Sequence, residues 1–204
     1  MAKGAGGTRN VKNKSMSETI SGVKGSFVLE MKSPTDFSKQ VESAKKSIRA
    51  AAKKDGEEDT SWRVDAKAPS DYTKDKLFAT KGGSTIAIAP NGDIISLARK
   101  KGDTATGTDL LKIAVNKGGK KLDSFGGNHN FYIRNGFEPI SYVRFDENYA
   151  PKGWKKGVND KEPVVFYKYT GKASKIKLKT FMKKTKESAS YEEAKNKRDK
   201  SIKK

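Results

Sequence analysis

Apolar residues along this chain switch between a repeat near 3.6 and a repeat of two, and the switches mark its elements. Phe37, Val41, Ala44, Ile48 and Ala51 recur at spacings of four and three, which draws one apolar stripe along a helix. Ser33-Pro34-Thr35-Asp36 writes its start, with Ser33 as cap, Pro34 in the first turn and Asp36 completing a box-like motif. The stripe ends near Lys54. Before it, residues 26–31 (SFVLEM) predict a strand; after it, 62–66 predict an irregular strand and 76–80 a short one. Two β-rich runs, 84–89 and 94–99, flank Asn91-Gly92 and form the clearest hairpin signal.

Beyond a small-residue loop, 108–116 predicts a helix with Leu110, Leu111, Ala114 and Val115 on one face, ended by Gly118-Gly119. A strand over 122–125, a turn at Gly126-Gly127-Asn128, a short helix over 129–135 and a strand over 140–145 follow closely, with Gly136 stopping the helix. A polar stretch, 146–162, precedes a last strand, 163–169. The helix between residues 99 and 122 implies a right-handed parallel crossover, while the hairpin keeps the sheet mixed. The order predicts an α+β (α/β) layered domain: a mixed, mostly antiparallel central sheet flanked by helices.

Composition refines this picture. Of 204 residues, 33% are hydrophobic and 33% charged, so part of the chain is expected to lie outside a packed core. The formal charge of +20 is uneven. Residues 1–22 have four basic residues against one acid, and 171–204 have 13 against four. Three regions result: a disordered N-terminal tail (1–22), a domain (23–170), and a lysine-rich C-terminal tail (171–204) in which Ile176, Leu178, Phe181 and Met182 could anchor a short helix before a frayed or helical end. Such a balance suits nucleic acid or another polyanion, or a solvated surface. No apolar run is long enough to span a membrane, and the N-terminus lacks the apolar core of a secretory signal. With no cysteine, thiol nucleophiles and disulfides are excluded, which is compatible with the cytoplasm, and a single histidine argues against a metal centre.

The loop 99–107 joins a strand to a helix start, where free amides and the helix dipole favour phosphate. Lys100 and Lys101 add charge; Thr104, Thr106 and Thr108 add hydroxyls. Two further patterns stand out: Arg99-Lys100-Lys101-Gly102, and Tyr132 four residues before Gly136-Phe137. Together with LDSF, FDENYAPKGW and PVVFYKY, they resemble the GNAT acyltransferase fold, over about residues 76–169, in the form found in bacteriophage proteins. The resemblance implies an acyl-CoA-dependent N-acyltransferase that moves an acetyl group from acetyl-CoA to an unidentified primary amine. It places the pyrophosphate on Arg99, Lys100, Lys101, Gly102, Thr104, Gly107 and Thr108, the pantetheine arm along Ile95, Ser96 and Leu97, and the leaving thiolate beside Tyr132 as acid. Thr104 stands where the family's loop has Gly or Ala, and Gly107 comes late.

Alternatives remain open from sequence. Tyr132 is also readable as a core tyrosine with its hydroxyl at the surface. His129 reads as an exposed residue beside a helix cap. Glu30, Asp93 and Asp123 are candidate bases, none preferred. Tyr149 and Trp154 either line a cleft or staple a loop. The competing function is an inactive GNAT-like phage protein, located in the host cytoplasm or in the virion, that binds nucleic acid or a virion partner through its basic tails.

Overall fold

The computed structural model describes Glu18–Thr19 and residues 27–203. Most of the expected N-terminal tail therefore lies outside the described residues. The first helix, α1 (Pro34–Asp55), starts as its sequence dictates: Ser33 Oγ accepts the Asp36 amide at 3.2 Å. It ends at Gly56, whose φ of 68° suits a glycine cap. Its stripe sinks Phe37 and Val41 against Tyr72, Leu77 and Ala87.

That stripe covers one face of a five-stranded antiparallel sheet. Its strands lie in chain order: β1 (Glu18–Thr19), β2 (Phe27–Met31), β3 (Lys76–Thr80), β4 (Thr85–Ile88) and β5 (Ile94–Ala98). On the opposite face, Phe78, Ile86, Ile88 and Ile94 meet Leu110, Leu111 and Ala114 of α2 (Gly107–Asn116). With both faces covered, the central strands are continuously apolar rather than alternating.

A second antiparallel sheet has the order β6-β8-β7, from β6 (Lys121–Phe125), β7 (Phe137–Val143) and β8 (Val164–Tyr169). The short helix α3 (His129–Arg134) links β6 to β7. The central sheet expected as one body is thus two antiparallel sheets, joined among the described residues by a single parallel bridge, Asp93 to Lys121. Two local expectations change. Residues 62–66 form no strand: Ser61–Arg63 is a 3₁₀ turn that delivers Trp62 onto Phe125, ring centroids 4.9 Å apart. β7 starts at Phe137 rather than 140, tolerating Pro139 because it is an edge strand with a register shift at that point.

The largest correction concerns the C-terminal segment. It is helical rather than frayed, and it is part of the fold rather than a tail outside it. Residues 172–177 and α4 (Leu178–Lys184) cross the α3 side of the second sheet, where Ile176, Leu178 and Met182 pack around buried Phe181. The chain then passes the β7 edge, donating the Ser188 amide to Tyr142 O at 3.0 Å. Finally α5 (Tyr191–Ile202) lies on the other face, with Ala194 fully buried and Tyr191 against Phe166 at 4.9 Å.

α5 is mostly polar, and its anchor is a charge. Arg198 is completely buried. Its Nε donates to Asp199 Oδ1 at 2.9 Å, its Nη1 lies 3.0 Å from Asp93 Oδ1 without hydrogen-bond alignment, and its plane faces Phe166. Lys121 joins the cluster through Asp199 at 2.9 Å and Asp93 at 3.6 Å. No helix among the described residues is long and apolar enough to cross a membrane.

Removing Arg198 leaves a cavity beside the partly buried Asp93, with Lys121 at 3.6 Å as the charge still opposite it. Arg198→Ala should therefore lower the unfolding free energy by about 3 kcal/mol, the range for breaking a buried pair, read from the urea midpoint. An unchanged midpoint would mean that α5 is held by something else.

Candidate functional site

β5 and β6 start side by side at the Asp93–Lys121 bridge and then belong to different sheets, so a split opens between them towards Ala98 and Phe125. The wall supplied by β5 is irregular. Thr85 pairs with Ala98 and Ala87 with Ile95, so Ile86 faces both Ser96 and Leu97: a β-bulge. Ser96 has φ of 51°, the one positive value outside glycine among the described residues. Its neighbours enforce this: Ser96 Oγ lies 2.7 Å from Tyr72 Oη and donates to Asp65 O at 3.2 Å, while Ser96 O accepts from Thr85 Oγ1 at 3.1 Å. Strained backbone held by its surroundings is characteristic of functional sites. Ile95 faces the α1 side and Leu97 the α2 side. Among the described residues, the β5 edge facing the split has no strand partner beyond the bridge.

The loop 99–106 is tied down by a residue that sequence reasoning missed. Asp103 is buried, and its Oδ2 accepts from Thr80 Oγ1, from Ser84 Oγ at 2.5 Å and from the Ser84 amide at 3.1 Å; Oδ1 accepts the Ala105 amide at 3.0 Å. Burial raises its pKa, but these hydrogen bonds outweigh it and hold the carboxyl below its ordinary value. The signal was an aspartate inside a Gly-Asp-Thr-Ala-Thr loop, a residue type that bonds its own backbone.

Arg99 also serves the loop, donating from Nε to Ala105 O at 3.0 Å and from Nη2 to Asp103 O at 3.1 Å. The amide of Lys100 donates to Ser84 Oγ and that of Lys101 to Ser47 Oγ. Thr106, expected as a free hydroxyl, is closed in a capping box with Asp109. Among the described residues, no protein acceptor takes the Gly102 and Thr104 amides, and Gly107 and Thr108 occupy the first turn of α2, whose amides have no intrahelical acceptor. These four amides and the Lys100 ammonium group are what the loop offers an anion, while the Lys101 ammonium lies 3.9 Å from Asp55 at the end of α1. Gly102 has φ of 85° with open space around it.

Tyr132 belongs to the core cluster on the α3 side, 7% exposed, with its ring against Phe131, Phe137 and Tyr167. Burial pushes its pKa up to about 12, aided by the Asp123 charge and opposed by a hydrogen bond with the Ser124 side chain. Its hydroxyl does not reach the surface as a bland reading expects. Phe131, its neighbour, lies against Gly107, where a Cβ would stand 2.8 Å from the ring, so α3 and the start of α2 touch.

His129 is not exposed. At 1% exposure it places Nε2 2.8 Å from Ile176 O and Nδ1 3.0 Å from Tyr167 Oη. A carbonyl only accepts, so Nε2 bears the proton and Nδ1 accepts from the tyrosine. The covering strand of chain at Ile176 is the part of the fold that sequence left unassigned. Burial lowers its pKa, partly offset by the Ile176 carbonyl.

The candidate bases divide. Asp93 pairs with Arg198; Asp123 lies 3.9 Å from Arg198 and accepts the Tyr191 hydroxyl, with its pKa raised by burial against the pull of Arg198. Glu30 is exposed beside Lys32. Tyr149 is exposed, while Trp154 packs on Phe145 at 4.8 Å and donates to Asp160 O, stapling its loop. A shallow depression on α1, lined by Ser38, Lys39, Glu42, Ser43 and Lys46, is an open helix flank away from the split. No family model, curated protein or solved structure matches this chain.

Because the folded state holds His129 neutral, its contribution is complete above the unfolded pKa near 6.5 and is lost as pH falls towards the lower folded value. The melting temperature should fall between pH 7.5 and 5 more steeply in the wild type than in His129→Gln. Parallel curves would remove His129 as the cause.

Proposed function

We propose that this protein is an acyl-CoA-dependent N-acyltransferase of the GNAT type that transfers an acetyl group to a primary amine, in the cytoplasm of a phage-infected host. The observation that carries the reading is the left-handed bulge at Ser96, set on the wall of a split between two sheets. In chain order, the elements that the sequence resemblance calls for follow it. The amide-rich start of α2 follows the bulged strand, and Tyr132 follows the other strand of the split. The order of elements from β2 to β8 also suits such a domain.

Acetyl-CoA would supply the activated thioester. The free amides of Gly102, Thr104, Gly107 and Thr108, with Lys100 and Lys101, would hold its pyrophosphate. Ile95, Ser96 and Leu97 would line the arm, with the unpaired β5 edge orienting the acyl carbonyl. A phenol held at about 12 keeps its proton at neutral pH, so Tyr132 would donate a hydrogen bond to the departing sulfur and release the proton only as charge builds there. Asp93 and Asp123 serve Arg198 and Tyr191, so neither is offered as a base.

Acetyl-CoA titrated into the full chain by calorimetry tests binding. Thr104→Glu is the control of choice, because Thr104 is exposed and carries no left-handed strain, whereas Gly102→Glu adds both charge and strain. Binding should weaken at least about tenfold in that variant, about 1.4 kcal/mol. A folded wild type that takes up no acetyl-CoA refutes the reading. Where turnover is found, Tyr132→Phe should lower kcat by about 100-fold with KM little changed; full activity would refute the acid role.

A further inference from the structure

The strongest unexplained feature is a stripe of charge, separate from the split. Residues 171–186 contain seven lysines and no acid. Read from sequence this is a lysine-rich tail with a short helix in it, and the structure packs it onto the second sheet. Ile176, Leu178 and Met182 are turned inward around buried Phe181, and the Ser174 amide donates to Ile133 O at 2.9 Å. Exposure alternates from 174 to 177 along extended chain, with Ser174 and Ile176 facing in and Lys175 and Lys177 facing out, and the first turn of α4 continues it with Leu178 in and Lys179 out. Lys172, Lys183, Lys184 and Lys186 continue the exposed set, and none of the seven makes an ion pair among the described residues.

We infer that this strap is a docking face for the phosphate backbone of duplex nucleic acid. Three observations select that partner. The strap's apolar side chains all point inward, so the exposed face offers ammonium groups with nothing apolar to fill a protein pocket, and lysine is depleted from protein interfaces. Its one aromatic ring, Phe181, is buried, which removes the stacking platform that single strands use. The spacing also suits a phosphate backbone: on the extended segment Lys175 and Lys177 stand about 6.6 Å apart, close to the axial rise of about 6.8 Å over two phosphates of one strand, and Lys179 follows in the first turn of α4.

A fixed array loses less conformational freedom on binding than a loose tail would. Recognition rests on charge and is independent of sequence. The inference holds whether or not the split binds acetyl-CoA.

Fluorescence anisotropy of the full chain with a short random-sequence duplex, across a salt series, tests it. Affinity should fall steeply with salt. Replacing Lys175, Lys177 and Lys179 together by Gln should reduce the slope of log K against log salt by about 2 to 3, at about 0.9 per phosphate contact. The control triple Lys39, Lys46 and Lys53→Gln removes the same charge from exposed positions on α1. Equal losses in both triples would mean that net charge alone is at work, and no binding by the wild type at low salt would refute the strap outright. Polyglutamate competing as well as duplex, charge for charge, would transfer the face to an acidic protein. Acetyl-CoA titration of the strap variant should match the wild type, which separates this inference from the acyltransferase reading.

Discussion

One junction decides the shape of this molecule: the place where two antiparallel sheets meet at Asp93 and Lys121. A single backbone bridge leaves two sheets free to hinge, so side chains must fix their angle. Part of this comes from the shared core, in which Ile94 of the first sheet and Leu122 of the second pack in one cluster with α2 and α3. The rest comes from charge. Arg198 reaches from α5 to Asp93 on one sheet while its neighbour Asp199 holds Lys121 on the other. Burying such a group is costly unless it is paired, so the junction tolerates little rearrangement. The angle between β5 and β6, and so the width of the split, is set there.

The loop above the split follows a different logic. A loop meant to receive an anion should be rigid, with free donors and little negative charge facing out. Asp103 meets the first need by turning its carboxylate inward to Thr80 and Ser84, so that its charge fixes the turn instead of facing a ligand. Arg99 works the same way from the other side, on carbonyls. The loop's positive potential therefore rests on Lys100 and the α2 dipole, since Lys101 stands opposite Asp55. Asp109 acts against it: the carboxylate that caps α2 also stands in its first turn.

Much of the fold was legible in sequence because local chemistry and periodicity agreed. The Ser33 cap, the Asn91-Gly92 hairpin and the glycine stop at Gly136 each state their geometry within a few residues. What was not legible depended on partners far along the chain. His129 looks like an exposed polar residue until Ile176 covers it. Arg198 looks like one more surface charge, and only Asp93 and Phe166 explain its burial. The bulge at Ser96 had one faint sign, a serine inside an apolar run, but its positive φ comes from Tyr72, Thr85 and the Asp65 carbonyl. That the loop leads amides into a helix start was legible; Asp103 and the Thr106–Asp109 box, which decide which donors remain free, were not.

The reach of the Arg198 contact also bears on kinetics. Asp93 and Arg198 are more than a hundred residues apart in sequence, and their meeting requires the strap to have rounded the β7 edge first. Contacts that close such long loops are entropically expensive and belong to the slow side of folding. The angle between the sheets is thus settled after each sheet has its own local pairing. Stabilisation that arrives after the transition state appears in the rate of opening rather than the rate of assembly. The clamp therefore governs how long the split keeps its shape, more than how fast the chain first attains it.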